Sequence, residues 1–351
     1  IMAMSPRDRV IAAMKQEKLD RPAAAIFTQS ATLGQMEFCG AAWPEAHKDP
    51  KLMATLAAAQ HEMFGYECAR ACFCLTGEAE RLGNKVDVTK KDASPMMKSH
   101  AFKFDPMTGE YDDPAGLMAA DEFVKGGRPA VVIEAVKILK DKYKDEIAIC
   151  AGNTGPFTIA GEMVDTENMI FGMMMCPDEV VKWTNAVAPI TKAYTAALLD
   201  AGADVVQCSE PSGSTDMLAP DMFDTAAGNA VRASLGACTN NAKERMTVLH
   251  ICGNTLPIIP MMAATGVTGL SVEEKVDSYD AVKACAGKAA MVGNVASVGA
   301  LFQGNPEIVK EATLKSIDAG FNVISSGCGI GVASPNENLQ AMVDTVKAYK
   351  A

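Results

Sequence analysis

What most constrains this chain is a rhythm: short apolar runs, each followed by a helical pattern, recur along nearly its whole length. Eight can be read, at residues 23–29, 69–75, 147–151, 205–208, 247–252, 267–271, 290–294 and 321–324. Nearly all are apolar at consecutive positions rather than alternate ones. A strand apolar on both faces must be covered on both, as parallel strands flanked by helices are. The helical stretches carry matching punctuation. The one after Pro177 puts Val180, Trp183, Val187, Ile190, Tyr194 and Leu198 on one face and stops at Ala201-Gly202. Asn305-Pro306 opens another, with Ile308, Val309, Ala312 and Ile317 inward, and residues 336–349 form the last. Eight strand–helix units predict an α/β fold, a (β/α)8 TIM barrel, rather than an open doubly wound sheet. The Gly-rich turn at residues 152–156 lacks the G-x-G-x-x-G spacing of a dinucleotide site.

Two segments fall outside the rhythm. Residues 5–18 read as a helical extension ahead of the first strand, with Ser5 as N-cap, Pro6 at the first helical position, and Val10, Ile11 and Met14 apolar. Residues 77–128, after the second strand, loosen into short alternating stretches with turn signals at Asp105-Pro106 and Met107-Thr108-Gly109. They are expected to form an insertion or lid on a single barrel domain spanning residues 1–351.

Composition narrows the function. The formal net charge is −11 and no basic run exceeds Lys90-Lys91, so the chain has no electrostatic footprint for nucleic acid. No apolar run reaches the roughly 18 residues of a membrane span. No signal peptide opens the chain, and Ile1 ahead of Met2 reads as a remnant of cloning or processing. Eleven cysteines, an odd number without small-domain spacing, fit a reducing cytoplasm. Most of them, Cys72 and Cys74 included, are expected to be small buried hydrophobes.

The residues that promise chemistry sit at two strand ends, Val248-Leu249-His250-Ile251-Cys252-Gly253-Asn254 and Ile324-Ser325-Ser326-Gly327-Cys328-Gly329-Ile330-Gly331. His250 and Cys252 are two apart, so an extended backbone sends both side chains to one face. Cys328 is too distant for a zinc-finger knuckle. Active sites of such barrels lie at the C-terminal strand ends, however, which brings strands five and eight to a common mouth. One imidazole and two thiolates suit zinc, and three protein ligands leave an open fourth position, as catalytic sites do. A bare His-x-Cys is more often core packing; the frame of eight strands reverses that balance. No fourth Cys or His lies near either stretch, which disfavours a structural zinc.

These stretches also carry a family resemblance. His250-Ile251-Cys252-Gly253, followed much later by Ser326-Gly327-Cys328-Gly329, resembles the zinc motif of the methylcobamide:coenzyme M methyltransferases. Those enzymes belong to the uroporphyrinogen decarboxylase superfamily of barrels. The similarity runs from Arg7-Asp8-Arg9-Val10 through Ala42-Trp43-Pro44-Glu45-Ala46-His47 to the last helix. It implies His250, Cys252 and Cys328 as Zn2+ ligands, coenzyme M as thiol substrate, and methylcobalamin as methyl donor in methanogenesis. Decarboxylases of the superfamily carry an arginine after strand one, whereas Phe27-Thr28-Gln29-Ser30-Ala31-Thr32 has no cation. No Asp-x-His-x-x-Gly cobalamin signature is present, so the corrinoid is expected on a separate methylated protein.

The sulfonate of coenzyme M needs a seat. Arg70, inside an apolar strand, is one candidate, with a structural ion pair as its alternative. The backbone N–H groups around Gly327 and Gly329 are another. Glu210, two residues past strand four, is a candidate to face the metal or orient His250, or else forms a surface salt bridge. Three rival functions stay open: a zinc methyltransferase for another thiol such as homocysteine, a decarboxylase, and a non-catalytic zinc scaffold that docks corrinoid proteins. The original methyl source (methanol, methylamines or methyl sulfides) and the oligomeric state are not written in this chain.

Overall fold

The computed structural model describes residues 3–350; Ile1, Met2 and Ala351 lie outside them. Eight parallel strands make one sheet. They are β1 (Ala23–Ala24), β2 (Cys68–Ala71), β3 (Ala148–Thr154), β4 (Val205–Ser209), β5 (Met246–Ile251), β6 (Gly269–Val272), β7 (Ala290–Val295) and β8 (Val323–Ser326). From β2 to β8 each strand pairs with its successor, and β8 returns to β1, so the sheet curls into a (β/α)8 barrel. Its seam lies between β1 and β2, where the Glu67 N–H donates to the Ala24 carbonyl at 2.8 Å. Side chains reinforce the seam. The buried Glu67 carboxylate accepts the Ala24 N–H at 2.9 Å and pairs with Arg9 and Arg21.

Because strand side chains alternate, one parity lines the barrel interior. Its lower half is apolar, and much of it is small: Ala23, Ala25, Ala148 and Ala290. The room they leave is filled from below by helix α1 (Pro6–Met14), whose Val10, Ile11 and Met14 pack among them. The plug reaches far in: a Cβ on Gly269 would lie 2.8 Å from Met14 Cε. Ser5 caps α1 by accepting the Asp8 N–H. The helix ends at Met14, short of residue 18, because Gln16 turns the chain with a φ of 58°. Higher up, the same parity becomes polar and buried: Arg70, Gln207, Ser209, His250, Ser271 and Ser325.

The Gly-rich stretch 152–156 is not a loop. β3 runs through it to Thr154, and a helix, Pro156–Val164, starts almost at once. Gly152 serves a neighbour rather than a turn, since a Cβ there would lie 1.9 Å from Arg70 Nη2. A further helix, Thr166–Met175, precedes the long Pro177–Asp200. Within residues 77–128, Lys85–Asp87 pairs with Met96–Ser99 and Phe104–Asp105 with Glu110–Tyr111, both antiparallel. The segment is bonded to the helices after β3: Asn84 Nδ2 donates to Glu162 O at 2.6 Å and Asn168 Nδ2 to Phe104 O at 2.8 Å. All eleven cysteines are free thiols. Among the described residues no helix is long and apolar enough to cross a membrane.

Candidate metal centre at the barrel mouth

His250 is the last inward residue of β5, in register with Ser209 of β4 and Ser271 of β6. Cys252 keeps its parity just past the strand end. The chain can then turn sharply because Gly253 takes a φ of 81°, where a Cβ would lie 2.3 Å from Asp216 Oδ2. Cys328 follows β8 by two residues. The three ligand atoms lie within 4.8 Å of one another. His250 Nε2 is 3.2 Å from Cys252 Sγ, which is 3.2 Å from Cys328 Sγ. His250 is buried and both cysteines are half-buried.

The other imidazole nitrogen decides the tautomer. His250 Nδ1 lies 2.9 Å from Ser271 Oγ. A proton donated there leaves Nε2 free on the side of the sulfurs, as a ligand requires. The hydrogen bond from Cys252, followed by His250, holds Cys328 below the usual thiol range, while its role as donor and its burial push Cys252 up.

Loop contacts hold the ligands in place. Ser297 Oγ accepts the Cys328 N–H at 2.9 Å and donates to the Cys328 carbonyl at 3.0 Å. Just past β6, Glu273 accepts the Gly253 N–H at 2.5 Å and Glu274 the Ser297 N–H at 3.2 Å. Adjacent carboxylates thus tie the loop of Cys252 to the loop that steadies Cys328. Their negative charge also favours a cation between the sulfurs. Sequence reasoning singled out none of Ser271, Glu273, Glu274 or Ser297. Only Ser271 had a usable signal, its position at the end of the strand beside His250.

The remaining candidates fall as follows. Glu210 is a neighbour of His250 by backbone alone, its N–H donating to the His250 carbonyl at 2.9 Å. Strand parity turns Ser209 inward and Glu210 away. Its carboxylate instead accepts the N–H groups of Phe157 (3.0 Å) and Thr158 (2.6 Å) and the Thr158 hydroxyl, capping the helix Pro156–Val164. It is fully buried, which pushes its carboxyl up to about 7 against those three donors. Ser271, not Glu210, orients His250. Arg70 is 1% exposed and points into the barrel. It donates to the carbonyls of Phe27 (2.6 Å) and Cys72 and to Gln207 Oε1 (3.1 Å). These acceptors are all neutral, so they make no ion pair. The Gly327 N–H donates to Val295 O at 2.7 Å and the Ile330 N–H to Gln29 O at 2.8 Å, with Gly329 between them in the same loop. Those amides hold the loop together. Beside it opens a cavity of about 230 Å³ lined by Gln29, Trp43, Phe73, Ser94 and residues 329–331. Trp43 is 4% exposed, and its indole N–H finds no acceptor among the described residues.

Comparison with known proteins agrees with this geometry. The family model of uroporphyrinogen decarboxylase (URO-D) matches residues 5–349. The methylcobamide:CoM methyltransferase MtbA of Methanosarcina acetivorans is 34% identical over 347 residues, covering 99% of this chain and 98% of that protein. MtaA of Methanosarcina barkeri, also a methylcobamide:CoM methyltransferase, is 32% identical over 346 residues, covering 98% of each. The solved structure of a methyltransferase from Methanosarcina mazei superposes with a TM-score of 0.88 at 32% identity, covering 99% of this chain and 100% of that one. The chain belongs to the uroporphyrinogen decarboxylase (URO-D) family, in its methylcobamide:CoM methyltransferase branch, and is a methyltransferase.

Proposed function

We propose that the enzyme moves a methyl group from a methylated corrinoid, carried on a separate protein, to the thiol of coenzyme M, with a zinc ion held by His250, Cys252 and Cys328. The observation that carries this reading is their convergence, within 4.8 Å, at the C-terminal mouth of the barrel. The donor set fits zinc, and three protein ligands leave one position for a substrate thiol. Zinc bound there supplies the charge that keeps a coordinated thiol deprotonated at neutral pH, where a free thiol of pKa about 8.5 is mostly protonated.

The chain's own residues do the rest. Ser271 fixes the tautomer of His250, and Ser297 fixes the backbone of Cys328. Helix α1 plugs the barrel from below, so substrates meet at the mouth, where a docked corrinoid can hold its methyl group in line with the thiolate sulfur. The cavity beside residues 329–331 seats the rest of the thiol substrate, with the Trp43 N–H as a donor for its sulfonate. Arg70 is the second candidate, with two of its five N–H groups beyond the three already bonded. Ser94, from the segment 77–128, lines the same cavity, which suits a lid. The loop from Phe27 to Thr32 offers no cation to a tetracarboxylate, and free thiols throughout suit a reducing cytoplasm.

The test is metal analysis of the purified protein with an assay of thiol-dependent demethylation of free methylcobalamin. About one zinc per chain and demethylation driven by coenzyme M are expected. Preference for homocysteine would shift the reading to another thiol. Zinc without demethylation by any thiol would leave a scaffold, and decarboxylation without zinc would leave a decarboxylase.

A further inference from the structure

A second pair of thiols lies away from the metal centre. Cys72 and Cys74 follow β2 and are 7% and 6% exposed. Both are buried, as expected from the sequence, but their sulfurs have polar partners. Arg128 Nη1 donates to Cys74 Sγ at 2.8 Å, and Thr76 Oγ1 does so at 3.7 Å. Arg128 cannot swing away. It is buried, paired with Glu80 through Nε, and donates from Nη2 to Thr76 Oγ1 at 2.9 Å. The Cys72 thiol donates to the Cys74 carbonyl at 3.0 Å, and Cys72 takes a φ of 77°, which non-glycine residues rarely adopt. His47, 2% exposed, packs against Trp43 and Phe73 with ring centroids 4.8 and 6.1 Å away, and its Nε2 has no hydrogen-bond partner among the described residues. His47, Cys72, Phe73, Cys74, Glu78 and Arg128 line a cavity with room for about one water molecule. A sulfur bonded by a fixed arginine, beside a second thiol, is a setting for reaction rather than for packing.

We infer that Cys72 and Cys74 form a redox-active dithiol, which a small hydroperoxide oxidises to an intramolecular disulfide. The Cys74 thiolate attacks the outer peroxide oxygen. The O–O bond breaks, the departing alkoxide or hydroxide takes up a proton, and Cys74 becomes a sulfenic acid. The Cys72 sulfur then attacks the Cys74 sulfur, and the sulfenic oxygen leaves as water with the thiol proton. Two thiols and one hydroperoxide thus give one disulfide, one alcohol (or water, from hydrogen peroxide itself) and one water. Each residue has its part. The Arg128 guanidinium, 2.8 Å from the Cys74 sulfur, favours its thiolate, and Cys72, whose thiol proton lies on the Cys74 carbonyl, stays protonated. The cavity's size selects small oxidants. Phe73, between the two cysteines, lines both this cavity and the one beside residues 329–331. Closing the disulfide therefore alters the space next to Cys328.

The experiment treats the full chain, as isolated, with increasing hydrogen peroxide and maps its peptides by mass. The peptide containing Cys72-Phe73-Cys74 is expected to lose two hydrogens before Cys252 or Cys328 reacts, and to regain them with a dithiol reductant. In Cys72→Ser the reaction stops at a sulfenic acid on Cys74, which dimedone traps. In Arg128→Met, checked for fold by circular dichroism, the oxidation slows about tenfold or more. Should that variant fail to fold, Cys72→Ser carries the test alone. A pair that stays reduced while other thiols oxidise overturns the inference. So does Cys72→Ser without a trapped adduct at Cys74, or a folded Arg128→Met that reacts at the native rate.

Discussion

Two places in this molecule gather two cysteines and a histidine, and they differ in where the positive charge comes from. At the mouth, His250, Cys252 and Cys328 converge within 4.8 Å, with Glu273 and Glu274 on the flanking loops. Among the described residues no arginine or lysine bonds either sulfur there. Beside β2, Cys72 and Cys74 meet His47, but the guanidinium of Arg128 already lies on the Cys74 sulfur. A buried thiolate needs a cation, since desolvation otherwise protonates it. Where the chain supplies that cation itself, the sulfur becomes a reactive anion and the place for a metal is taken. Where it supplies carboxylates instead, the sulfurs are short of positive charge, a setting that suits a metal ion. Among the described residues only the mouth group is compact enough for a metal.

The hardest break of this contrast is Cys328→Ala. Zinc binding and methyl transfer should both collapse, by more than the 10–100-fold that supporting residues typically cost. Metal analysis and the demethylation assay read both, and full zinc retention would remove Cys328 from the ligand set. Cys74→Ser should leave zinc content untouched, so the two substitutions together separate the sites.

Ser271→Ala sharpens the account of the mouth. Without its partner at Nδ1, the His250 imidazole loses its fixed tautomer, and zinc affinity should fall roughly 10–100-fold, measured by competition with a chelator. Glu210→Gln should leave that affinity near native, because its carboxylate serves the helix Pro156–Val164. The reverse ranking would restore Glu210 as the residue orienting His250.

Trp43 lies between the two regions, its ring 4.8 Å from that of His47 and lining the cavity beside residues 329–331. Trp43→Phe keeps the ring and deletes only the N–H. If that N–H holds the sulfonate, coenzyme M should bind about tenfold more weakly while mercaptoethanol is unaffected, as for one lost bond to a charged group. Equal weakening of both thiols would point to altered packing of Phe73 instead.

A further effect concerns pH. Glu78 is fully buried in the Cys72–Cys74 cavity, and burial pushes its carboxyl up to about 7 from an ordinary 4.5. The folded protein therefore keeps this proton where the unfolded chain has lost it. The resulting stability is complete below about pH 4.5 and disappears as pH rises through about 7. Glu78→Gln, neutral throughout, should lack that slope. Urea unfolding of both proteins from pH 5 to 8 should show native stability falling relative to the variant, by on the order of 2 kcal/mol. Parallel curves would mean that Glu78 is already ionised in the folded state.

Much of this architecture was legible in advance. The mostly apolar runs at 205–208 and 290–294 read as strands covered on both faces, and eight such runs with helices between them suit a closed barrel. The stretch 152–156 misled because a glycine inside a strand looks like a turn. Its purpose, room for Arg70, depends on a side chain from the neighbouring strand. Arg70 read as a seat for the sulfonate or as half of an ion pair, and inside the barrel its partners are carbonyls and an amide. Glu210 looked like a partner of His250 because it stands near the strand end; the parity that turns Ser209 inward sends Glu210 outward.

By itself the sequence determined that His250 and Cys252 share a face, because the period of an extended chain is two wherever it folds. It also determined the number of strand–helix units, since apolar periodicity is local. Only the tertiary structure decided that Cys328 comes within 3.2 Å of Cys252, that Ser271 bonds His250 and Ser297 bonds Cys328, and that Cys74 receives Arg128. Those pairings join residues 21 to 76 positions apart. Over such separations neither propensity nor spacing says which groups meet; the closure of the sheet and the course of its loops do.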